Sequence, residues 1–302
     1  MIVKISVPAT TANLGPGFDC LGLALDLCNS TTLMTVESAN RIEVSGEGAE
    51  QLPTDSSNLV LQAAEKVFTE AGKRPAGVHV RQENEIPVGS GLGSSASAVL
   101  GGMLAANVVI GTPLSQQRLL ELASEFEGHP DNVVPAMFGG LTLAVSSEAG
   151  LVVERIEVPY LKKVIVVLPD FALSTSTARK ALPDKVPLAD AVFNIGRVGL
   201  LVRAFETGDY GRLAIAMEDR VHQPYRLPLI PGMPDAFEEA RRAGAAVALS
   251  GAGPSVVAFA RDNHSRIAAA MGRAFVDAGL RHRTWILPIQ SEGCRVEMQR
   301  SS

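Results

Sequence analysis

The chain has few cysteines, no long apolar run and no excess of charge of either sign. Its three cysteines, Cys20, Cys28 and Cys294, are too few and too scattered for a disulfide framework or a zinc site. No apolar run approaches the roughly 18 residues of a membrane span, and the N-terminal sequence MIVKISVPATTANLG lacks the apolar core of a signal peptide. We therefore expect a cytoplasmic protein with no membrane partner.

The charge balance argues against nucleic acid as a partner. There are 27 Lys and Arg residues against 32 Asp and Glu residues, which gives a formal net charge of -5. A protein that binds nucleic acid or an anionic membrane through its overall charge would be basic. A small anionic ligand would therefore need a local positive site. With 302 residues, of which 46% are hydrophobic, the chain can form two domains.

The sequence PVGSGLGSSAS, residues 87–97, is the first candidate for such a site. Three glycines within five residues, Gly89, Gly91 and Gly93, indicate a turn in which the backbone approaches a ligand closely. An alanine-rich apolar run follows, and it predicts a buried helix that begins at Ser94 and Ser95, with serine at the N-cap. Free N–H groups at a helix start bind anions, so a phosphate loop is favoured. The alternative is a glycine-rich turn between a strand and a core helix.

Three named motifs do not fit this stretch. A Walker A loop ends in Gly-Lys-Ser/Thr, but no lysine follows the glycines here. Gly91, Gly93 and Ala96 match the spacing of a dinucleotide-binding fingerprint, but the acidic residue expected about 20 positions later is missing from GTPLSQQ. No Gly-x-Ser-x-Gly elbow is centred on these serines. A phosphate loop of another type remains.

Periodicity predicts an α+β protein with a boundary near Pro159. The first half is expected to hold a strand at 2–8, three short strand-like segments (LGLALDL, STTLMTVES and RIEVSG), helices at 58–71 and 116–128, and a strand at 78–86. After KKVIVVLP and the polar loop FALSTSTARKALP come helices at 188–206, 209–218 and 234–243, a hairpin joined through GAGP, a helix at 263–278 and the strand RTWILPI. This order matches the β-α-β-β-α-β plan of a ferredoxin-like domain with extra helices. Residues 223–234, with four prolines, are expected to form a loop of fixed conformation.

Four polar or glycine-rich segments together resemble the GHMP small-molecule kinases. They are PATTANLGPGFDCLGLAL (8–25), the glycine loop, EGHPDNVVPAMFGG (127–140) and LSGAGPSVVAF (249–259), and the first resembles the homoserine kinases of that family. The resemblance covers essentially the whole chain. It implies the two-domain GHMP kinase fold, with an N-terminal domain like ribosomal protein S5 domain 2 over 1–159, a ferredoxin-like domain over 160–302, and the active site between them. It also implies ATP, Mg²⁺ and L-homoserine as ligands.

The same resemblance assigns the nucleotide and metal sites. Residues implied to bind ATP are Asn58, Pro87, Val88, Gly89, Ser90, Gly91, Leu92, Gly93, Ser94, Ser95, Ala96, Ser97 and Gly253. Asn58 resembles the residue that contacts adenine, although from its position alone it would be a helix N-cap. Ser95, or Ser94, and Glu127 match the Mg²⁺ ligands, since Mg²⁺ takes one or two protein oxygens together with phosphates and water. By chemistry alone Glu127 would be a solvated carboxylate at a helix end. The turn at 251–255 is implied to close on the phosphate loop, the alternative being a tight hairpin.

Substrate residues are implied in the same way. Asn13 and Asp19 are expected near the hydroxyl end of the substrate, and Arg179 and Arg226 at its carboxylate, because the planar guanidinium pairs with a carboxylate through two hydrogen bonds. Without the family either arginine would be read as a surface residue. His129 and Asn132 match family positions that line the substrate pocket, and Thr175 is implied to help hold the phosphoryl group or Mg²⁺. Asp131 lies where related kinases carry an aspartate near the substrate hydroxyl.

Some alternatives stay open at the level of sequence. Asp131 is either a general base or a group that orients its neighbours while the γ-phosphate takes the proton. The activity implied is phosphorylation of L-homoserine; the alternatives are a GHMP kinase for mevalonate or a sugar, a nucleotide sensor without turnover, or an RNA-associated protein, which the acidic balance opposes. A homodimer is the prior expectation for assembly.

Overall fold

The computed structural model describes residues 1–148 and 150–299, which form two sheets and ten α-helices. The strands are β1 (Ile2–Ala12), β2 (Leu21–Val36), β3 (Arg41–Gly46), β4 (Gly77–Asn84), β5 (Leu141–Ser147), β6 (Gly150–Ile156), β7 (Lys163–Pro169), β8 (Ala246–Leu249), β9 (Val256–Phe259), β10 (His282–Pro288) and β11 (Arg295–Gln299). The helices are α1 (Leu59–Ala71), α2 (Ser94–Val109), α3 (Gln116–Glu127), α4 (Val133–Phe138), α5 (Thr175–Lys180), α6 (Leu188–Thr207), α7 (Tyr210–Ala216), α8 (Gln223–Arg226), α9 (Met233–Arg242) and α10 (His264–Asp277).

The first sheet carries the N-terminal half of the chain. Its order is β11-β1-β2-β4-β3, and β5 pairs with β2 and with β6. Only β3 and β4 run parallel among these pairs in the described ranges. Helix α2 packs against α1, β1 and β2 and is buried on most sides. Gly102 permits this close approach, because a Cβ there would lie 2.3 Å from the Val60 carbonyl oxygen of α1.

The second sheet has the order β10-β7-β9-β8, and each neighbouring pair is antiparallel. This order confirms the predicted ferredoxin-like arrangement. Alternation along β7 sends Val164 and Val166 to one face and Ile165 and Val167 to the other. The first face joins α6, α7 and residues of β2 in a core shared by both sheets, and the second packs on α9 and α10.

Several sequence-based expectations are wrong in detail. Segments LGLALDL and STTLMTVES are one strand, β2. The polar Asn29 between them stays in the strand because its Nδ2 donates to Ser97 Oγ and its Oδ1 accepts from the amides of Glu85 and Ile86. The polar loop after β7 contains α5, and the expected loop at 223–234 contains α8 and a 3-10 turn at Leu227–Leu229. The cap of α2 is Gly93, not a serine.

Residues 295–299 return to the first sheet. Strand β11 pairs antiparallel with β1, with Val296 opposite Ile5, although the sequence predicted no strand there. All five residues of β11 are exposed, so apolar periodicity could not reveal it. The division into 1–159 and 160–302 stays a prediction, and it does not separate the two sheets cleanly, since 295–299 lie in the first. No helix within the described ranges combines the length and apolarity that crossing a bilayer requires.

Candidate active site

A cleft of about 160 Å³ brings together segments from both halves of the chain. Its lining residues are Asn13, Asp19, Gly89, Ser90, Gly91, Gly93, Ser94, Ser95, Ala96, Glu127, His129, Asp131, Asn132, Leu173, Ser174, Thr175, Arg179, Arg226, Gly251, Ala252 and Gly253. Most of the residues assigned from the sequence therefore meet in one place, although they span 240 positions of the chain, from 13 to 253.

The glycine loop adopts a conformation that only glycine takes without strain. Gly89, Gly91 and Gly93 have φ values of 66°, 79° and 74°. The loop is held from the second half of the chain, because Ser250 Oγ donates to the Gly91 carbonyl at 2.7 Å and the Ser255 amide donates to the Ser90 carbonyl at 3.1 Å. The turn at 251–255 therefore packs directly against this loop.

Helix α2 begins in the cleft without a side-chain cap. Gly93 is its N-cap, and no side chain in the described ranges accepts a hydrogen bond from the first turn of the helix. The first N–H groups of a 16-residue helix are thereby left for a ligand, with the positive end of the helix dipole behind them. This is the geometry of an anion site.

Ser95 and Glu127 face each other at the mouth of this site. Ser95 Oγ donates to Glu127 Oε1 at 2.7 Å, joining the first turn of α2 to the last residue of α3. Burial raises the pKa of Glu127, and the hydrogen bond from Ser95 lowers it less than burial raises it. A hydroxyl and a carboxylate oxygen side by side are the hard donors that Mg²⁺ prefers, so these two residues fit that ion.

The loop after β1 presents Asn13 and Asp19 to the cleft in left-handed conformations. Their φ values are 69° and 57°, which Asn and Asp tolerate better than most residues. Asn13 is buried and links two segments, because its Oδ1 accepts from the Asp19 amide at 3.0 Å and its Nδ2 donates to the Gly251 carbonyl at 2.9 Å. Asp19 in turn pairs with Arg179 on α5 through two hydrogen bonds of 3.0 and 2.8 Å.

Arg226 is the most unusual charge in the cleft, because its side chain is only 1% exposed and it has no carboxylate in contact in the described part of the chain. Its guanidinium donates to the carbonyls of Ala178 and Gly251 at 3.4 and 3.3 Å and to His222 Nδ1 at 3.2 Å. Burial, followed by the charge of Arg179, lowers the pKa of Arg226 to about 10. A buried cation of this kind favours an anionic ligand.

His129 and Asp131 form the polar floor of the cleft. His129 Nδ1 lies 2.5 Å from Asp131 Oδ1, and Asp131 is 2% exposed. Burial lowers the pKa of His129, but the hydrogen bond and charge of Asp131 outweigh it, so that the pKa is raised overall. Next to them Asn132 Oδ1 accepts from Thr10 Oγ1 at 2.7 Å. Thr175 reaches the cleft from the first turn of α5, which Ser174 caps.

A second cavity of about 260 Å³ adjoins the phosphate loop, and Asn58, Val88, Gly89, Ser94 and Ser95 are among its lining residues. Asn58 is buried and caps α1, since its Oδ1 accepts from the Val60 amide at 3.0 Å, while its Nδ2 donates to Pro53 and Gln82. The N-cap reading of Asn58 is therefore confirmed, and a contact with adenine stays a prediction.

Four assigned loop residues lie at the edge of the cleft or behind it. Pro87 and Val88 line a wider cavity of about 840 Å³ beside the loop. Leu92 and Ser97 are buried behind the loop: Leu92 belongs to the shared core, and Ser97 Oγ donates to the Ser94 carbonyl at 2.8 Å. The side chains of these last two support the loop and do not line either the cleft or the adjoining cavities.

Sequence reasoning missed Thr10 and Ser250, which support the site from behind its lining, and Ser174, which lines the cleft. Thr10 and Ser250 are buried polar residues in apolar strand ends, and Ser174 is a helix cap at the start of the hydroxyl-rich run STST. The sequence offered one signal for such residues: a polar side chain within an apolar segment destabilises a core unless it is hydrogen-bonded, so it is expected to have a partner.

Comparison with known proteins agrees with this geometry. A family model described as GHMP kinases N terminal domain matches residues 58–140, and one described as GHMP kinases C terminal matches residues 201–277. The chain is 45% identical over 278 residues to the homoserine kinase of Moorella thermoacetica, covering 92% of this chain and 94% of that protein. It is 46% identical over 299 residues to the homoserine kinase of Gloeobacter violaceus, covering 98% and 99%.

A solved structure supports the same assignment. The crystal structure of homoserine kinase from Cytophaga hutchinsonii superposes with a TM-score of 0.88 at 31% identity, covering 98% of this chain and 97% of that one. The predicted fold is thus confirmed. Taken with the two family models and the relatives of nearly equal length, this likeness means that the chain belongs to the GHMP kinase family.

Proposed function

We propose that this chain transfers the γ-phosphoryl group of ATP to the side-chain hydroxyl of L-homoserine, giving O-phospho-L-homoserine and ADP. The observation that carries the proposal is the juxtaposition, in one cleft, of an uncapped helix N-terminus and the buried Arg226, which has no carboxylate of its own in the described ranges. The first suits a polyphosphate and the second suits the carboxylate of an amino acid.

The triphosphate would lie along the glycine loop. The cleft is lined by Gly89, Ser90, Gly91 and Gly93 of the loop and by the first residues of α2, and Gly253 lines it from the turn that packs on the loop. The adjoining cavity beside Asn58 and Val88 would take the adenine and ribose. Phosphoryl transfer requires positioning and neutralisation of charge more than covalent chemistry from the protein, and this loop supplies both through fixed dipoles.

Ser95 and Glu127 would hold Mg²⁺. When bound there, the ion would neutralise charge on the phosphate oxygens. The two side chains orient each other through their hydrogen bond, and Glu127 is held at the end of α3 by the αL glycine that terminates the helix, Gly128. Thr175 lines the same cleft and would help hold the phosphoryl group or the Mg²⁺ ion.

The amino-acid end of the substrate would replace the ion pair between Asp19 and Arg179. Homoserine carries one ammonium and one carboxylate, so it offers a partner to each side chain when the pair opens. In this proposal Asp19 would bind the ammonium group rather than lie near the hydroxyl, and Arg179 would join Arg226 at the carboxylate. Asn13 Oδ1 accepts a hydrogen bond from the Asp19 amide and so keeps Asp19 in position to bind the ammonium group.

Two routes for the hydroxyl proton remain. In one, Asp131 takes the proton while His129 and Asn132 orient it and the substrate; in the other, the γ-phosphate takes it and Asp131 only orients its neighbours. Asp131→Asn separates them. A fall in kcat of more than about a hundredfold with unchanged substrate binding contradicts the phosphate-acceptor route, and a fall of less than about tenfold contradicts the general base.

A coupled ADP-release assay over a panel of alcohols tests the proposed function. Homoserine should support turnover, while mevalonate, galactose and shikimate should support little. Turnover with mevalonate but not homoserine would replace the proposal with another GHMP kinase activity, and nucleotide binding without turnover on any alcohol would indicate a sensor. A cytoplasmic location and a homodimer also stay predictions; light scattering after size-exclusion chromatography tests the second.

A further inference from the structure

His222 lies beside Arg226, one helical turn earlier in the chain, and it does not itself line the cleft. Its ring is fully buried, and both ring nitrogens have partners. Nε2 lies 2.8 Å from the carbonyl oxygen of Gly15, and Nδ1 lies 3.2 Å from Arg226 Nη1. The ring therefore joins the loop after β1 to the guanidinium that faces the cleft.

These two contacts fix the tautomer of His222. A carbonyl oxygen only accepts, so Nε2 must carry the hydrogen; a guanidinium only donates, so Nδ1 must present its lone pair. Only the neutral Nε2–H form satisfies both. Burial and the charge of Arg226 lower the pKa of His222 more than the charge of Asp219 raises it, which agrees with a neutral ring.

Asp219 holds the backbone that carries His222. Its carboxylate is fully buried and accepts from the amides of Val221, His222 and Gln223 at 2.9, 3.0 and 2.6 Å, and from Asn194 Nδ2 at 2.7 Å. With four donors the carboxylate is saturated, and His222 Nε2, which lies 3.6 Å from Asp219 Oδ2, is beyond hydrogen-bond distance of it and closer to the Gly15 carbonyl. These hydrogen bonds fix the backbone at the start of α8, the helix that carries Arg226.

The faces of the His222 ring are also constrained. Phe18 stacks on it with ring centroids 5.1 Å apart and planes inclined by 25°, and the Arg226 guanidinium carbon lies 5.1 Å from the centre of the same Phe18 ring. Three of the five N–H groups of Arg226 are then committed to Ala178, His222 and Gly251. Nη2 has no acceptor within the described ranges, so its two N–H groups are left for a ligand.

We propose that His222 is a positioning residue that, as the neutral Nε2–H tautomer, orients the guanidinium of Arg226 toward the substrate carboxylate. The proposal rests on the proposed function, since the carboxylate is that of the amino-acid substrate. His222 does not touch the reacting atoms. Its effect falls on affinity for the substrate that Arg226 holds, and not on the nucleotide.

Two substitutions at His222 test the role. His222→Asn keeps an acceptor close to the place of Nδ1, whereas His222→Leu removes both polar groups at similar volume. We expect His222→Leu to raise the KM for homoserine about tenfold or more, as loss of a hydrogen bond to a charged group does, with kcat and the KM for ATP within about threefold of wild type. His222→Asn should recover most of that loss.

His79 supplies the matched control, because it is a buried histidine on β4 that lies 3.3 Å from Glu43, outside the cleft. His79→Leu and His79→Asn should leave the KM for homoserine unchanged. An unchanged KM in His222→Leu, an equal rise in the KM values for homoserine and ATP, or no recovery in His222→Asn would overturn the positioning role.

The ring of the wild-type protein gives a test that no folding defect can obscure. Nitrogen-15 chemical shifts at pH 7.5 should report an Nε2–H imidazole for His222. An Nδ1–H tautomer or an imidazolium would overturn the inference. Turnover of the wild-type protein with homoserine is measured first. If there is no turnover, the proposed function is contradicted, and the tautomer of His222 still decides whether its Nδ1 accepts a hydrogen bond from Arg226.

Discussion

Asp19 and Arg179, which are 160 positions apart, form a two-point ion pair across the cleft, with Oδ2 to Nη1 at 3.0 Å and Oδ1 to Nη2 at 2.8 Å. The side chains of Asp19 and Arg179 are 34% and 37% exposed, so water screens the ion pair and little free energy is needed to separate the two groups. The hydrogen bond to Asp19 and its charge raise the pKa of Arg179 against the effect of burial. The pair therefore holds two opposite charges in place, and a zwitterionic substrate can bind by forming one ion pair with Asp19 and another with Arg179.

Asp19→Asn tests the assignment of this carboxylate to the substrate ammonium. We expect kcat/KM for homoserine to fall about tenfold or more, because an amide cannot supply a negative charge. The measurement is repeated with 4-hydroxybutyrate, which keeps the hydroxyl and carboxylate but has no ammonium. An equal fall with both substrates would show that Asp19 acts on the hydroxyl end instead.

Glu127→Gln should reduce turnover without loss of stability. We expect kcat to fall about a hundredfold and the Mg²⁺ dependence to shift to higher concentration, because a neutral amide is a poor ligand for a hard cation. Burial raises the pKa of Glu127, so the ionised form is disfavoured in the fold, and removing the charge should leave Tm at pH 8 unchanged or higher. Glu125→Gln, on the same helix and 58% exposed, is the control. A normal Mg²⁺ dependence in Glu127→Gln would contradict the metal assignment.

The sequence predicted the parts of this site that carry distinctive residue types, and missed those that depend on long-range packing. The glycines of the phosphate loop, the helix behind them and the α1 cap follow from local rules, and the structure has all three. Arg179 and Asp19 were each assigned to the substrate, but no local rule could indicate that they pair. Their contact depends on how α5 sits against the loop after β1.

Three other misses have physical causes. The serines at the start of α2 read as caps because serine is favoured there, but the left-handed Gly93 takes the cap position and leaves Ser95 free to reach Glu127. Strand β11 has no buried face, and its place in the sheet comes from backbone pairing with β1. His222 received no role from the sequence, and only its burial beside Arg226 gives it one.

Stability should depend on pH through His129. The folded-state pKa of His129 is raised, chiefly because the contact with Asp131 outweighs burial. The protonated ring therefore stabilises the fold below its unfolded pKa of about 6.5, and this contribution disappears as pH rises through the folded pKa. Urea unfolding between pH 6 and 9 should show the free energy of unfolding of wild type falling relative to His129→Gln. Parallel curves for the two proteins would contradict the prediction, and Asp131→Asn should remove most of the difference.

The packing of the phosphate loop on the turn at 251–255 predicts a large cost for one added methyl group. Gly91 has a φ of 79°, and a Cβ there would lie 2.4 Å from the Ser250 carbonyl oxygen and 2.8 Å from that of Gly253, both backbone atoms. We expect Gly91→Ala to reduce the free energy of unfolding by about 1–3 kcal/mol and to raise the KM for ATP. Gly199→Ala is the control, because Gly199 is exposed on α6, an added methyl there would meet nothing within 4 Å, and the variant should gain about 0.5–1 kcal/mol from helix propensity. Equal stability and ATP affinity in the two variants would show that the two halves of the chain do not meet at this loop in solution.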